Sequence, residues 1–598
     1  MQDYVSYSCF CGMEIEMSRH VFRKGMAYFR KNGFKKAVKR TIYFFTEKRS
    51  YEKLLAYTNP TPEELNRQRE KFIHEPKVSI LIPMYNTPLQ FFKELIDCVQ
   101  AQTYSNWELC LADGTGSVSE AGEYAVQCMA KDSRIVYKML DSNDGISENT
   151  NRALEMATGE FIALMDHDDV ITPDALYHLV KAVNEDAMAD SVYSDEDKMD
   201  MDGRKLFEPH FKPDFNIDYL RSCNYICHMF MTRTSIAREV GGFRKPFDGA
   251  QDFDFIFRCT EKSRHVAHVP RVIYHWRCHV NSTAAVPESK MYAYHAGVKS
   301  INEHCQRAGI PMTGELGTSY GYYRDVPVLD RKPSVDIIIH GDAAKAEQCI
   351  QCTKELTYSN LSVMMCGGDA ASVNRAVASA AADYVLLLDS RITSLSEDLV
   401  EQLMGYVQRK DVAMAAARTS NLEDKIYHAF LVMGIDKSFG YAFHQLDKGN
   451  NGYFMRINAP QDVSGVDITC TLIRRADYMA AGQLDESMPA EYAAADLCLK
   501  VAQLNGEGSR DSRADEGEDA KTPQMWRDMH KIVYVPYAEA VINASAEPEW
   551  HIDEEDEKFN KKWNSVLRQT DRYYNINLTK RDTNFTILSS MELKNEDL

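Results

Sequence analysis

A dense group of acidic residues follows one short apolar segment of the sequence. Residues 161–165 are apolar, and Asp166, His167, Asp168 and Asp169 come directly after them. Carboxylates held this close repel one another, so the group favours a bound cation. Oxygen ligands suit Mg²⁺ or Mn²⁺, ions that the oxygens of a diphosphate also bind. The sequence therefore predicts a divalent metal site here.

Two further acids, Asp252 and Asp254, stand at the start of a predicted amphipathic helix. Either could cap the helix, and either could act as a general base. A later part of the chain repeats this pattern, with Asp496 opposite Asp254 and Ala494 opposite Asp252. A structural acid should survive the loss of activity in a repeat. Asp252 is therefore the better candidate for the base.

His275, Arg277 and His279 close a predicted strand over residues 269–274. Two imidazoles and a guanidinium near a diphosphate could bind a metal ion or phosphate oxygens. Two histidines on one short segment also occur by chance. The spacing alone therefore leaves open whether these residues bind a ligand or have no functional role.

The elements around these residues alternate between strands and helices. Residues 78–83, 107–113, 134–140 and 161–165 are predicted strands, with predicted helices over 88–101 and 146–157. This alternation indicates an α/β fold with a mainly parallel sheet, whose ligands lie at the carboxyl ends of the strands. Tyr85, Asp113 and Asp166 follow such ends.

The same pattern occurs twice in the chain. The segment 103–106 recurs at 357–360, and Asn151-Arg152 recurs as Asn374-Arg375. Matching order with drifting offsets indicates two homologous domains rather than a short repeat. The acids 166–169 become Asp389-Ser390-Arg391-Ile392 in the second copy. We therefore expect the second domain to keep the fold and to have lost the chemistry.

Composition limits the remaining functions. The 598 residues carry 69 Lys and Arg against 88 Asp and Glu, a net charge of −19, which argues against nucleic-acid binding. There is neither a long apolar run nor a secretory signal, which predicts a cytoplasmic protein with reduced thiols. The pair Cys349 and Cys352 is interpreted as buried apolar side chains, with a redox or zinc role as the alternative.

Residues 18–53 form a basic segment with twelve Lys or Arg and two Glu. Its apolar residues recur at helical spacing. The pattern is typical of an amphipathic helix on an anionic membrane surface, which would be the inner face of the cell membrane. A helical hairpin packed on the next domain explains the pattern equally well.

Together these motifs resemble the glycosyltransferase family 2 enzymes of GT-A fold. The segments that carry the resemblance, in order, are 78–86, 144–147, 151–154, 157–161, 166–169, 193–197, 224–228, 241–243, 251–254, 274–277 and 282–284. The second copy and residues 571–578 resemble larger bacterial members with two such domains, which build surface polysaccharides. The resemblance implies two tandem GT-A domains with a basic helical N-terminal segment.

The resemblance also implies roles for individual residues. Asp252 would be the catalytic base, and Mn²⁺ or Mg²⁺ would be held by Asp166, Asp168 and His279. His275 and Arg277 would bind the diphosphate, and Asp195 and Glu196 would face the acceptor. The residues expected to bind the donor nucleotide are Pro83, Tyr85, Asn86, Asp113, Asp144, Asn151, Arg152 and Asp166.

The predicted organisation is an N-terminal segment (1–76), a catalytic domain (77–330), a degenerate second domain (331–550) with a flexible acidic insertion at about 507–525, and a C-terminal extension (551–598). The implied function is inverting transfer of a sugar from a UDP- or dTDP-sugar to a saccharide or lipid-linked acceptor. A non-catalytic carbohydrate-binding scaffold and a polymerase with both domains active are the alternatives. A nucleotidyltransferase is disfavoured, because no Gly-rich loop follows the first strand.

Overall fold

The computed structural model describes residues 48–278, 291–435, 437–504, 530–544, 551–589 and 592–593. Within them the chain builds two large mixed sheets, and helices pack on both. We call the first sheet with its helices the first unit and the later one the second unit. The predicted α/β class with two sheet-containing units is confirmed.

The first sheet has its strands in the order β3-β2-β1-β4-β8-β6-β9-β5, with β7 beside β6. Strands β1 to β4 pair in parallel, while β8 lies antiparallel between β4 and β6. The strands are β1 (Val78–Met84), β2 (Trp107–Asp113), β3 (Ile135–Met139), β4 (Phe161–Leu164), β5 (Val170–Ile171), β6 (Ala189–Met199), β7 (Leu206–His210), β8 (Phe230–Arg233) and β9 (His265–Arg277).

Helices cover both faces of this sheet, which explains why β1 and β2 are apolar nearly throughout. The helix Leu89–Gln100 buries Phe92, Leu95, Ile96 and Val99. Their spacing of three and four residues places them on one face of the helix. The helices of this region are α1 (Pro62–Arg67), α2 (Leu89–Gln100), α3 (Glu120–Lys131), α4 (Ile146–Met156), α5 (Ala175–Glu185), α6 (Ile217–Ser222), α7 (Thr234–Glu239), α8 (Gln251–Thr260) and α9 (Met291–Ala308). A hairpin of β10 (Met312–Leu316) and β11 (Tyr323–Pro327) leads to the second unit.

The second sheet repeats the strand order of the first. Its order, β13-β12-β14-β21-β16-β22-β15, matches β2-β1-β4-β8-β6-β9-β5 strand for strand, with no counterpart of β3 among the described residues. The strands are β12 (Val335–His340), β13 (Leu361–Cys366), β14 (Tyr384–Asp389), β15 (Ile392–Leu395), β16 (Val412–Asn421), β17 (Ile426–His428), β18 (Leu431–Met433), β19 (Phe439–Tyr441), β20 (Gln461–Asp462), β21 (Cys470–Arg474) and β22 (Lys531–Ile542).

Helices of the second unit occupy matching places. They are α10 (Ala346–Thr353), α11 (Ala370–Ser379), α12 (Leu399–Val407), α13 (Arg475–Ala480) and α14 (Ala490–Gln503), followed by α15 (Asp553–Leu567). Cys349 and Cys352 lie in α10 as free, buried thiols, which agrees with their interpretation as apolar side chains.

Helix α6 joins the two units through buried charges. Both oxygens of Asp218 accept hydrogen bonds from Arg409, at 2.5 and 3.1 Å, and Arg221 pairs with the same carboxylate and with Asp325. These side chains are buried. The two arginines hold the pKa of Asp218 far below its usual range, although burial alone would raise it.

A C-terminal segment spans both units. Asp571 accepts a hydrogen bond from the backbone N–H of Met433 in the second unit, at 2.8 Å. The amide of Asn575 donates to Asp195 and to the carbonyl of Lys212, both at 2.9 Å, in the first unit. The motif at 571–578 therefore ties the units together.

Other predicted segments lie mainly outside the described residues, namely most of the basic segment 18–53 and all of the insertion at about 507–525. Residues 48–58 are helical, and the Tyr51 hydroxyl donates to buried Asp197. Among the described residues, no helix is both long and apolar enough to cross a membrane.

Candidate active site

The carboxyl ends of β1, β2 and β4 meet at one edge of the first sheet, as the alternation of elements predicts. Met84 pairs with Asp113 in the parallel register of β1 and β2. The buried Asp113 carboxylate accepts hydrogen bonds from the Thr115 N–H and the Tyr137 hydroxyl, both at 2.9 Å. Tyr85 stands beside it with 49% of its surface exposed. Asp113 is thus fixed at this edge, with an exposed ring next to it.

Three side chains that could hold a metal ion converge beyond β4. Asp166, Asp169 and His228 each offer one ligand atom, and these atoms lie within 4.8 Å of one another. His228 comes from the loop before β8, and its Nε2 lies 3.8 Å from Asp166 Oδ2. Its Nδ1 is buried without a hydrogen-bond partner in the described part of the chain. The structure therefore contains a group that could hold a metal ion, and its members differ in part from the predicted ones.

Asp168 and His279 were the other expected ligands. Asp168 is partly exposed and is not among the three converging groups, whereas Asp169 is fully buried. The chain turns sharply after β4, so that the acids of this group do not all face the same way. His279 lies outside the described residues.

Tyr274 of β9 organises this group. Its hydroxyl donates to Asp169 and accepts the backbone N–H of Asp166 at 3.2 Å, and its ring stacks on His228 with centroids 4.7 Å apart. Burial, with the nearby charges of Asp168 and Asp166, raises the pKa of Asp169 well above its ordinary value. A bound cation would relieve this electrostatic cost.

Asp252 faces the same group from the first turn of α8. Asn224 donates its amide N–H to Asp252 Oδ2 at 2.8 Å. Burial raises the pKa of Asp252, and His228 and Asp166 lie close enough to influence it electrostatically. A carboxylate with a raised pKa, held in place by the Asn224 amide beside the candidate metal group, has the properties of a general base.

Asp254 has the structural role that the repeat suggests. Its buried carboxylate accepts hydrogen bonds from Arg258 at 2.7 Å and from Arg244 at 3.0 Å. The corresponding Asp496 accepts the indole N–H of Trp563 at 2.9 Å and pairs with Lys500. Both acids therefore anchor their helix within its unit.

Arg277, expected at the diphosphate, is fully buried and forms hydrogen bonds within the protein. Its guanidinium donates to the carbonyls of Asp168 and Met201, at 2.7 and 2.8 Å, and to the carboxylate of Glu94. Its backbone N–H donates to Asp169 at 2.7 Å. Arg277 thus positions the acidic loop, and three of its five guanidinium N–H groups donate within the protein.

His275 lies on the other side of β9 from Tyr274, because side chains alternate along a strand. Its Nδ1 bonds to Asp197 at 2.5 Å, in the pocket that also receives Tyr51. This position is separate from the group around Asp169, so the expected diphosphate contact of His275 finds no support in the geometry.

Helix α4 carries Asn151 and Arg152, with Asp144 just before it. The Asn151 amide is occupied by the backbone of Phe243, at 2.7 and 2.8 Å, and Asn374 makes the same pair of bonds to Leu484. A side chain at Gly242 would collide with Asn151, which explains that glycine. Asn151 is therefore a shared structural clamp.

Arg152 pairs with Glu155 at 2.7 Å on the surface, and Asp144 is exposed. Pro83 lies in β1, and the N–H of Asn86 donates to Thr115 at 3.1 Å. Asn86, Tyr85 and Asp113 thus form one neighbourhood.

The two acids expected at the acceptor are mostly engaged within the protein. Asp195 is buried between His268, Asn575 and the Lys212 N–H. Glu196 pairs with Lys212 at 3.4 Å and accepts the His228 N–H at 3.2 Å. Asp195 therefore serves the packing of the C-terminal segment, whereas Glu196 borders the metal group.

Sequence reasoning did not assign His228, Asn224 or Tyr274 to the site. All three lie in the segments 224–228 and 274–277, which carry the family resemblance. Their polar and aromatic side chains were the feature from which a role in the site could have been predicted. Their roles depend on loops that return to the sheet edge from distant parts of the chain.

These features define a Rossmann-like α/β unit with a candidate divalent-metal group and a candidate base at the carboxyl edge of its sheet. Residues 79–241 match the family model described as "Glycosyl transferase family 2". This segment, which contains the strands and acids described above, therefore belongs to glycosyltransferase family 2.

Two curated relatives extend over most of the chain. An uncharacterised protein, y4gI, of Sinorhizobium fredii is 33% identical over 470 residues, 71% of this chain and 51% of the relative. The O-antigen biosynthesis protein RfbC of Myxococcus xanthus is 24% identical over 468 residues, 73% of this chain and 36% of the relative. The chain thus spans about half or less of the length of these relatives.

Among solved structures, the 1–349 fragment of S. aureus TarS in complex with UDP-GlcNAc matches 38% of this chain and 66% of its own. The identity is 18% and the TM-score is 0.32. A similarity this low carries no argument about function.

Proposed function

We propose that this chain is a metal-dependent glycosyltransferase that moves a sugar from a nucleotide-diphosphate sugar to a saccharide or lipid-linked acceptor in bacterial surface polysaccharide synthesis. The observation that carries the proposal is the convergence of Asp166, Asp169 and His228 with Asp252 facing them. The family of residues 79–241 and the name of the relative RfbC support it.

The metal group fits Mn²⁺ or Mg²⁺ by its chemistry. Two carboxylates and one imidazole offer ligand atoms within 4.8 Å of one another, and the buried Nδ1 of His228 lacks a partner among the described residues. Asp166, Asp169 and His228 would hold the ion. The ion would neutralise the charge that develops on the leaving nucleoside diphosphate.

Asp252 is the proposed catalytic base. It would take the proton of the acceptor hydroxyl as that oxygen attacks the anomeric carbon, giving inversion. The Asn224 amide holds the Asp252 carboxylate in place through Oδ2. The transition state would be oxocarbenium-like, as in glycoside hydrolysis.

The donor base is proposed to lie against Tyr85, Pro83 and Asp113. A carboxylate has about four lone-pair sites, so the bonds from Thr115 and Tyr137 leave Asp113 able to accept one more N–H. Uracil and thymine offer such an N–H on their pairing edge. This supports UDP- and dTDP-sugars as donors.

The test is a screen of the purified chain with UDP-, dTDP- and GDP-sugars and a lipid-linked acceptor, in Mn²⁺ or in EDTA. We expect nucleotide release with one donor, lost in EDTA and in Asp166→Ala. Absence of release with every donor and Mn²⁺ would favour the non-catalytic scaffold. Release that survives EDTA would remove the metal from the proposal.

A membrane partner remains a prediction for the basic segment 18–53, most of which lies outside the described residues. Sedimentation with vesicles of anionic lipid, compared with zwitterionic vesicles, tests it. Binding that is equal for both, or absent from both, would favour the packed helical hairpin.

A further inference from the structure

A cleft opens at the carboxyl edge of the second sheet, at the place that corresponds to the candidate active site of the first unit. Its volume is about 180 Å³, and it lies where β12 and β14 end, beside the first turn of α14. Pockets for drug-sized ligands hold roughly 300–1,000 Å³. The cleft is therefore smaller than such pockets and matches the size of one sugar ring.

An internal cation occupies the place of the metal. Val335 pairs with Tyr384 as Val78 pairs with Phe161, so Asp389 corresponds to Asp166. The Arg391 guanidinium donates to both oxygens of Asp389, at 3.0 and 2.7 Å. This fork satisfies the carboxylate that would otherwise need an ion.

The charge of the lining disfavours a diphosphate. Lys345 and Arg391 are the positively charged lining residues. Burial lowers the pKa of His428 to about 4, which keeps it neutral at pH 7. The carboxylates of the lining are Asp342, Asp389, Asp467 and Glu491. Burial raises the pKa of Glu491, so this carboxyl is left out of the charge count. The other three carboxylates still outnumber the two positive groups, which favours a neutral or cationic ligand.

One wall of the cleft is aromatic. His428 stacks on Tyr441 with centroids 4.2 Å apart, and Tyr427 lies against His428 at 4.3 Å. Only 3% of Tyr427, 7% of His428 and 1% of Tyr441 is exposed, so the rings fix the shape of this wall, and polar groups of the lining would bind the hydroxyls of a sugar.

Glu491 supplies an open acceptor. It stands in the first turn of α14, as Asp252 stands in the first turn of α8. Asp467 accepts from the Thr469 N–H at 2.7 Å and from the Tyr441 hydroxyl at 3.0 Å. Within the described residues, no other residue gives the Glu491 carboxylate a hydrogen bond or ion pair. It is therefore free to bind a ligand.

We propose that this cleft binds a single sugar unit of a saccharide, without a metal ion and without a nucleotide. Glu491 accepts hydrogen bonds from the sugar, and the packed rings of Tyr427, His428 and Tyr441 hold one wall of the cleft in place. The second unit would thus hold saccharide while the first performs transfer.

Saturation-transfer NMR on the full chain tests this, with D-glucosamine and N-acetyl-D-glucosamine as probes and UDP with Mn²⁺ as competitor. We expect signals from both sugars, stronger for cationic glucosamine, that persist at saturating UDP. Glu491→Gln should weaken glucosamine binding about tenfold, because one acceptor oxygen is replaced by an amide group that donates. Glu355→Gln, an exposed acid outside the cleft, should change nothing.

The proposal is overturned if neither sugar gives a signal in the wild type, if UDP with Mn²⁺ displaces both, or if Glu491→Gln binds glucosamine like the wild type. Circular dichroism checks that each variant is folded. If UDP binds nowhere, UDP-sugars are removed as donors for the first unit, while the comparison of Glu491→Gln with Glu355→Gln still decides the proposal for the cleft.

Discussion

The Asp252→Asn variant is expected to lose sugar transfer while keeping its fold and its donor affinity. An asparagine at this position still offers an oxygen to the Asn224 amide, which now lies 2.8 Å from Asp252 Oδ2. The side chain therefore stays in place, and only its ability to take a proton disappears.

The size of the loss follows from the role. General base catalysis contributes about 10²–10⁴-fold, which corresponds to about 2.7–5.4 kcal/mol of transition-state stabilisation. Because Asp252 acts on the acceptor, we expect kcat to fall by this factor and the Kd for the nucleotide with Mn²⁺ to change less than about threefold. Nucleotide release at saturating donor measures the first quantity, and isothermal titration measures the second.

Asp254→Asn is the matched control, two residues away on α8. It weakens buried ion pairs with Arg258 and Arg244, so the free energy of unfolding should fall by about 3–5 kcal/mol. The folded fraction should keep its kcat. If Asp252→Asn transfers sugar at the wild-type rate, or if the folded Asp254→Asn protein is the inactive one, the assignment of the base is wrong.

Three further outcomes are expected. Asp389→Ala should leave kcat nearly unchanged, whereas Asp166→Ala should abolish transfer; equal losses in the two assays would mean that the second unit also catalyses. Burial favours neutral His268, but Asp195 and Asp214 outweigh it and raise its pKa to about 9, so its stabilising charge is fully present below pH 6.5 and is lost as the pH rises through 9. His268→Gln should accordingly lower Tm more at pH 6 than at pH 9.5, and an equal drop at both would refute the charged pairing. Asn575→Ala should cost about 1–3 kcal/mol in denaturant unfolding, since it removes the amide that donates to the Oδ2 atom of buried Asp195 at 2.9 Å; an unchanged midpoint would show that the C-terminal segment contributes nothing there.

Much of the frame could be predicted from the sequence. The alternation of apolar segments with helical periodicity predicted the strands at 78–83 and 107–113 and the helix at 88–101, and these elements differ from β1, β2 and α2 by only one or two residues at their ends. The repeat predicted a second sheet, and the strand order of that sheet matches the first. Such patterns are local, because burial on one or both faces fixes the residue types directly.

The members of the site were harder to predict. Asp168 was expected at the metal group, and Asp169 lies there instead. Arg277 was expected at a phosphate, and it holds Asp168 and Glu94 from within the protein. The sequence shows the same charged residue whether its side chain binds a ligand or pairs within the protein. Only the neighbours in the folded structure decide between these two roles.

By itself, the sequence determined which segments are strands and helices, that their polar ends share one sheet edge, and that this arrangement occurs twice. Those properties follow from the periodicity of apolar residues along the chain. Only the tertiary structure decided that His228 joins Asp166 and Asp169, that Asp195 is buried by Asn575 some 380 positions away, and that Glu491 stands open in the second cleft. Contacts between distant segments depend on how the loops return to the sheet, and the local periodicity of apolar residues does not specify the course of those loops.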